Sequence, residues 1–180
     1  LSGVFAALVH AAFQRQEAKT RLDEFQKTAD QAEYHILGDL WRWRAAEETR
    51  TRQAVPQSQR DADLGTGLAL AADAVRLYGS PLTGEPNNTF DASWIDRQQA
   101  QRLPQRYAEL LFLMAVGSER LSQDGSDADH QAACRRAVRL LDTAESLGHR
   151  SRILYQYRAQ FQGVLGNPAE ADQRRAKQTE

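Results

Sequence analysis

The fold is decided by residues 137–180, which read AVRLLDTAESLGHRSRILYQYRAQFQGVLGNPAEADQRRAKQTE. Segments of helical length alternate here with turn residues, and Ala137 and Ala171 lie 34 positions apart. A repeat of this length is typical of two antiparallel helices joined by a tight turn, a unit that buries its apolar face against a stacked neighbour. The stretch therefore predicts an all-α protein built from helix pairs.

Small residues in this stretch recur at the positions where paired helices cross, because only small side chains let two helices approach closely. These residues are Ala137, Ala144, Ala159, Gly166 and Ala171. The register resembles that of tetratricopeptide repeats. Arg175 and Gln178 occupy two later positions that are small or apolar in that pattern, as expected of a terminal helix that faces solvent. The resemblance implies tetratricopeptide-like antiparallel helix pairs, arranged as a short, irregular right-handed solenoid or a bundle of five to seven helices.

The same spacing argument predicts the helices upstream. From Ala18 to Ile36 apolar residues recur every three or four positions, which places them on one face of a helix. The sequence leaves open whether this helix ends at Gly38 or continues through residues 40–48. Residues 49–63 are polar and predict a connection, and residues 80–89, SPLTGEPNNT, predict a loop.

Five further helices follow from apolar spacing and turn residues, at 64–78, 106–121, 130–147, 152–165 and 169–177. We expect Asp91 or Ser93 to cap a helix that begins near Trp94, and Pro104 to interrupt that helix or to start a new one. Residues 106–121 are the most apolar part of the chain and predict the central helix of the core. Ser151 is expected to open the helix at 152–165.

An apolar leading segment, LSGVFAALVHAAF, occupies residues 1–13, and residues 14–180 are expected to form a single helical-repeat domain. Thirteen helical residues reach about 20 Å, whereas the hydrocarbon core of a membrane is about 30 Å thick. The segment by itself is therefore too short to span a membrane. Two interpretations stay open: the trailing end of a transmembrane helix, or a first helix with a packed face.

Charge argues against a nucleic-acid partner. Lysine and arginine total 23 and aspartate and glutamate total 24, so no net field attracts phosphate backbones or anionic lipid. The sequence Trp41-Arg42-Trp43-Arg44 resembles a base-stacking patch, but Glu47 and Glu48 follow at once and oppose its charge. We expect no nucleic-acid binding.

The sequence predicts no catalytic, cofactor or metal site. Glu33 and His35 are two positions apart and point in different directions on a helix, and the other histidines are scattered. Cys134, the single cysteine, is predicted to be a buried thiol because no histidine is suitably placed nearby in sequence. The aspartates of residues 122–129 lack the glycine and glutamate positions of an EF-hand and predict a polar loop.

Much of the chain also resembles the non-kinase region of large membrane serine/threonine kinases of planctomycete bacteria, where a transmembrane helix leads into degenerate helical repeats. The similar residues are Phe25, 32–35, 71–79, 107–115, 137–144, 157–159 and 165–167, while residues 38–63 depart from the pattern. The chain has no Gly-rich loop, HRD or DFG motif. The resemblance therefore implies a non-catalytic segment beside a kinase domain. It also implies attachment to a membrane through a truncated N-terminal anchor, with an extracytoplasmic soluble domain; a cytoplasmic location is the alternative.

Tetratricopeptide geometry places the first helix of each pair on a concave face, and the register assigns Gln105, Glu109, Gln156 and Gln160 to it. The predicted function is a protein-protein interaction or sensory module that binds a protein or peptide. The alternative is a structural spacer that forms homo-oligomers through residues 1–13, with the groove filled by the chain's own N-terminal helix. An enzyme is the least favoured class.

Overall fold

The computed structural model describes residues 2–49, 57–78 and 94–179, without the side chains of residues 2–5, 39–49, 57, 60 and 171. Within these ranges the chain forms helices and no strands, which confirms the all-α class. The helices are α1 (Ser2–Thr49), α2 (Gln57–Leu77), α3 (Arg97–Ser122), α4 (Asp127–Ser146), α5 (Arg152–Val164) and α6 (Glu170–Gln178).

The helices pack mainly against their neighbours in sequence. The most extensive contacts join α1 to α2, α3 to α4 and α5 to α6, and smaller ones join α2 to α3, α4 to α5 and α1 to α3. Within the first pair, Phe25 lies beside Tyr78, while Ala32 and Ile36 lie beside Gly67, so α1 and α2 run antiparallel. The core therefore extends along a series of helix pairs.

The first helix continues past Gly38 through residues 40–48, which is one of the two interpretations that the sequence left open, and it begins as early as Ser2. Residues 2–49 form one α-helix, so neither Phe13 nor Gly38 marks a boundary. A single glycine inside a helix destabilises it by only about 1 kcal/mol. Burial of the apolar face from Leu22 to Ile36 stabilises α1 by more than this amount. None of the described helices is both long enough and apolar enough to cross a membrane.

Three large apolar side chains near the start of α1 are exposed. The side chains of Leu8, Val9 and Phe13 are 64%, 54% and 65% exposed. Among the described side chains of α1, Leu22 is the first buried one, and it contributes to the core together with Phe25. Leu8, Val9 and Phe13 therefore lie outside the core.

The start of α3 differs from the sequence prediction. Asp96 caps the helix, its carboxylate accepting hydrogen bonds from the backbone N–H groups of Gln98 and Gln99 at 2.8 and 3.4 Å. Trp94 lies in a turn before the cap. Asp91, Ser93 and the predicted loop at residues 80–89 fall outside the described residues. A carboxylate at residue 96 satisfies two first-turn donors at once, which explains why the helix begins there.

Pro104 lies inside α3 and does not interrupt it, contrary to expectation. A proline in a helix interior costs about 3 kcal/mol. Each fully buried large apolar side chain contributes about 1.5–3 kcal/mol, and α3 buries Leu103, Tyr107, Leu110 and Leu111 around the proline. Burial therefore outweighs the lost backbone bond. Ten of the 16 residues at 106–121 are buried, which confirms this segment as the central helix of the core.

The C-terminal helices follow the sequence closely. Ser126 and Ser151 accept hydrogen bonds from the backbone N–H groups of Asp129 and Leu154 and so cap α4 and α5. Gly148 and Gly166 have φ of 93° and 72°, the left-handed conformation that glycine adopts readily after a helix. Of the small residues on which the predicted repeat register rests, Ala137, Ala144 and Ala159 are buried, and the side chain of Ala171 lies outside the described ones.

Candidate functional site

A groove between α5 and α6 contains two of the predicted partner-binding residues. Gln156 and Gln160 are exposed, one turn apart on α5. They line a cavity of about 430 Å³. Its other lining residues are Arg152, Ala159, Gln173, Ala176 and Lys177. Buried Ala159 and Ala176 provide the small side chains that keep this space open. The groove therefore combines an apolar floor with amide and cationic groups.

The other two predicted residues lie on α3 and bond to each other. The Gln105 side-chain amide donates to Glu109 Oε1 at 3.1 Å, and Arg106 Nη1 donates to Glu109 Oε2 at 3.4 Å. Arg106 also pairs with Asp30 and Glu33 of α1. Burial by itself lowers the pKa of Arg106. Its hydrogen bonds to Glu33 and Asp30 raise this pKa by more than burial lowers it, so the net shift is upward. This half of the predicted face is therefore engaged by the α1–α3 contact.

A buried arginine lies beside the α5–α6 groove and was missed by the sequence analysis. Arg158 of α5 is 5% exposed. Its Nη1 donates to Asp142 Oδ1 at 2.9 Å and to Glu145 Oε2 at 2.5 Å, both on α4, and its Nη2 donates to Asp172 Oδ1 of α6 at 2.7 Å. One guanidinium therefore joins three consecutive helices.

Opposing effects act on the pKa of the Glu145 carboxyl in this network. Burial alone raises the pKa of the Glu145 carboxyl, but hydrogen bonds from Arg158 and Tyr155 and the nearby Arg175 lower it below its ordinary value. The Tyr155 hydroxyl donates to Glu145 Oε1 at 3.1 Å, and Arg175 Nη1 lies 3.5 Å from the same oxygen. A carboxylate held in its charged form by several donors serves to fix helices in place.

A second buried polar cluster joins α3 to α4. Glu119 is 4% exposed, Cys134 is fully buried, and His130 lies between buried and exposed. His130 Nε2 is 3.0 Å from Glu119 Oε1, and the carboxylate oxygen, imidazole nitrogen and thiol sulfur all lie within 4.8 Å of one another. The buried thiol was predicted correctly, but the sequence analysis did not find that a histidine lies close to it. The missed signal is the four-residue spacing of His130 and Cys134, which puts both on one face of α4.

Comparison with protein-family models, with curated proteins and with solved structures found no match to this chain.

Proposed function

We propose that this chain is a non-catalytic interaction module that binds an extended peptide segment of a partner protein in the α5–α6 groove. The observation that carries the proposal is the pair of glutamines in that groove. Within the part of the chain that the structure describes, neither Gln156 nor Gln160 makes a side-chain hydrogen bond. A primary amide both donates and accepts hydrogen bonds, so it suits the alternating N–H and C=O groups of an extended peptide.

The charges around the groove favour an acidic peptide. Arg152 and Lys177 are exposed at the groove, and none of its lining residues is acidic. A carboxylate of the peptide gains a favourable interaction with these cations, whereas a lysine or arginine is repelled. Ala159 and Ala176 leave space for a small apolar side chain of the peptide. The chemistry of the groove thus selects acidic segments with small residues.

The wider context of the proposal comes from the sequence. Consecutive helix pairs are compatible with a tetratricopeptide-like stack, in which α3 and α5 are the first helices of their pairs. On the strength of its resemblance to kinase-associated repeat regions, we propose that the module belongs to a membrane serine/threonine kinase. In that setting, capture of an acidic segment next to the kinase domain would recruit a substrate or regulator.

Selection from a displayed library of random peptides tests the groove. We expect the enriched peptides to be acidic, and Gln156→Ala with Gln160→Ala to weaken binding of a selected peptide at least about 10-fold, the result of losing two hydrogen bonds. The matched control is Gln101→Ala with Gln131→Ala, which removes two exposed glutamines on α3 and α4. Isothermal titration calorimetry gives each Kd. Equal Kd values for the two double variants, or selection without enrichment, would contradict the proposal.

The exposed start of α1 favours a second candidate, a structural module that forms dimers. Leu8, Val9 and Phe13 form an apolar surface on the first part of α1, and such surfaces commonly mark contacts. If this surface dimerises, analytical ultracentrifugation should show a concentration-dependent dimer that Val9→Ser with Phe13→Ser abolishes. Tyr34→Ser is the control, because Tyr34 is 72% exposed further along the same helix. A wild-type protein that sediments as a monomer at every concentration would exclude this role.

A further inference from the structure

We propose that Glu119, His130 and Cys134 form a metal-binding site whose best-fitting ion is Zn²⁺. This site joins α3 to α4 and is independent of the α5–α6 groove. Its three side chains are a carboxylate, an imidazole and a thiol, the three donor types that bind zinc in proteins. Three protein ligands with water in the fourth position make a complete tetrahedral zinc site.

Local structure brings the three donors together. Glu119 lies in the last turn of α3, and His130 and Cys134 lie one turn apart on α4. The connection between the helices is only four residues long and ends at Ser126, which caps α4. Because both helices are fixed at this end, the donors are placed by the backbone and not by a mobile loop.

The distances are close to those of a coordinated ion. Zinc lies about 2.0–2.2 Å from nitrogen and oxygen and about 2.3 Å from sulfur, so tetrahedral ligands are separated by about 3.3–3.8 Å. Here the three ligand atoms lie within 4.8 Å of one another, and His130 Nε2 is 3.0 Å from Glu119 Oε1. Side-chain adjustments of about 1 Å convert this arrangement into a coordination shell.

Charge provides a second reason. Glu119 and Cys134 are both buried, so a carboxylate and a thiolate lying side by side there would need a cation to balance their charge. Zn²⁺ balances one carboxylate and one thiolate. On binding, the thiol releases its proton to solvent and its sulfur bonds the metal, while neutral His130 binds through Nε2.

The neighbours of the site fit the same role. The Gln123 side-chain amide donates to Glu119 Oε1 at 3.0 Å and so orients the carboxylate, as outer partners of metal ligands do. The side chain of His130 is 26% exposed, which provides access for an ion and for the water at the fourth position. An ordinary ion pair between Glu119 and His130 accounts for two of the three groups. It leaves the thiol beside them without a role.

Cobalt substitution is the most direct test, because tetrahedral Co²⁺ absorbs visible light strongly and its bond to a thiolate adds a charge-transfer band at shorter wavelength. The reduced, chelator-treated protein should bind one Co²⁺ with both features, and Zn²⁺ should displace it. Cys134→Ala should remove the charge-transfer band. His130→Gln and Glu119→Gln should each weaken Zn²⁺ binding, which competition with a chromophoric chelator measures. Loss of an outer-shell partner typically weakens binding about 10- to 100-fold, and we expect a larger effect here.

The control is His10→Gln, which removes an exposed histidine of α1 and should leave the Zn²⁺ affinity unchanged. Circular dichroism verifies that each variant is helical. His130 is only partly buried and Glu119→Gln preserves size, so two of the variants keep the test valid if Cys134→Ala unfolds. Absence of the thiolate band in the wild type, or an unchanged Zn²⁺ affinity in His130→Gln, would overturn the proposal.

Discussion

Replacing Arg158 by methionine should lower the free energy of unfolding by about 3 kcal/mol. Removing one partner of a buried ion pair typically costs about 3–5 kcal/mol, because the other charge is left without compensation. Here the side chains of Glu145 and Asp172 are 22% and 14% exposed, so water relieves part of that cost. Methionine retains much of the volume of arginine, which separates the loss of charge from the loss of packing. Urea denaturation followed by circular dichroism measures the difference.

Two further variants define the origin of the effect. Arg158→Lys keeps a positive charge but loses the planar fork that bonds three carboxylates, so an intermediate loss is expected. Asp142→Asn removes the partner that is 57% exposed, and we expect a change of at most about 1 kcal/mol. If Arg158→Met were as stable as the wild type, the network would not hold α4, α5 and α6 together.

The effect should also depend on pH. Because the pKa of Glu145 is lowered in the folded protein, its stabilising contribution is present above the ordinary glutamate pKa and is lost as the pH falls through the lowered value. Without Arg158 this pKa returns toward its ordinary value. The difference in unfolding free energy between wild type and Arg158→Met should therefore shrink below about pH 4. A difference that stays constant down to about pH 3 would assign the effect to packing instead of charge.

The helices that were predicted well are those with local signals at both ends. Ser151 at the start of α5, Gly148 after α4 and Gly166 after α5 act within a few residues, so sequence alone locates them. The length of α1 and the continuity of α3 could not be found in this way. They depend on the burial of Phe25 and Tyr107 against other helices, which outweighs local costs at Gly38 and Pro104.

The candidate sites were only partly visible in the sequence. The tetratricopeptide register assigned Gln156 and Gln160 to a concave face, and in the structure both line one groove. The contact between Glu119 of α3 and His130 of α4 depends on the length of the turn between these two helices. That length could not be inferred from residue types. Arg158 stands at an inward position of α5, four residues after buried Leu154, and a charged residue at such a position signals partners on neighbouring helices.

Replacing Gly67 by leucine should also cost about 3 kcal/mol or more, because this glycine lies where α2 crosses α1. A Cβ at residue 67 would lie 2.8 Å from Ile36 Cγ1, 2.9 Å from His35 Cβ and 3.2 Å from the Ala32 carbonyl oxygen. Excess volume in a packed core typically costs about 1–3 kcal/mol, and here the backbone of α1 cannot move aside as a side chain would. The two helices must therefore separate.

Gly65 provides a matched comparison in the same helix. A Cβ at residue 65 meets no atom within 4 Å, so Gly65→Leu should stabilise the protein by up to about 1 kcal/mol through helix propensity alone. Chemical denaturation of the two variants should thus give changes of opposite sign. Thermal unfolding should show the same order. The substitution is identical at the two sites, which are only two residues apart. Equal effects would therefore mean that the close approach of α1 and α2 at Gly67 contributes nothing to stability. Contacts near the ends of the two helices would then hold the pair together.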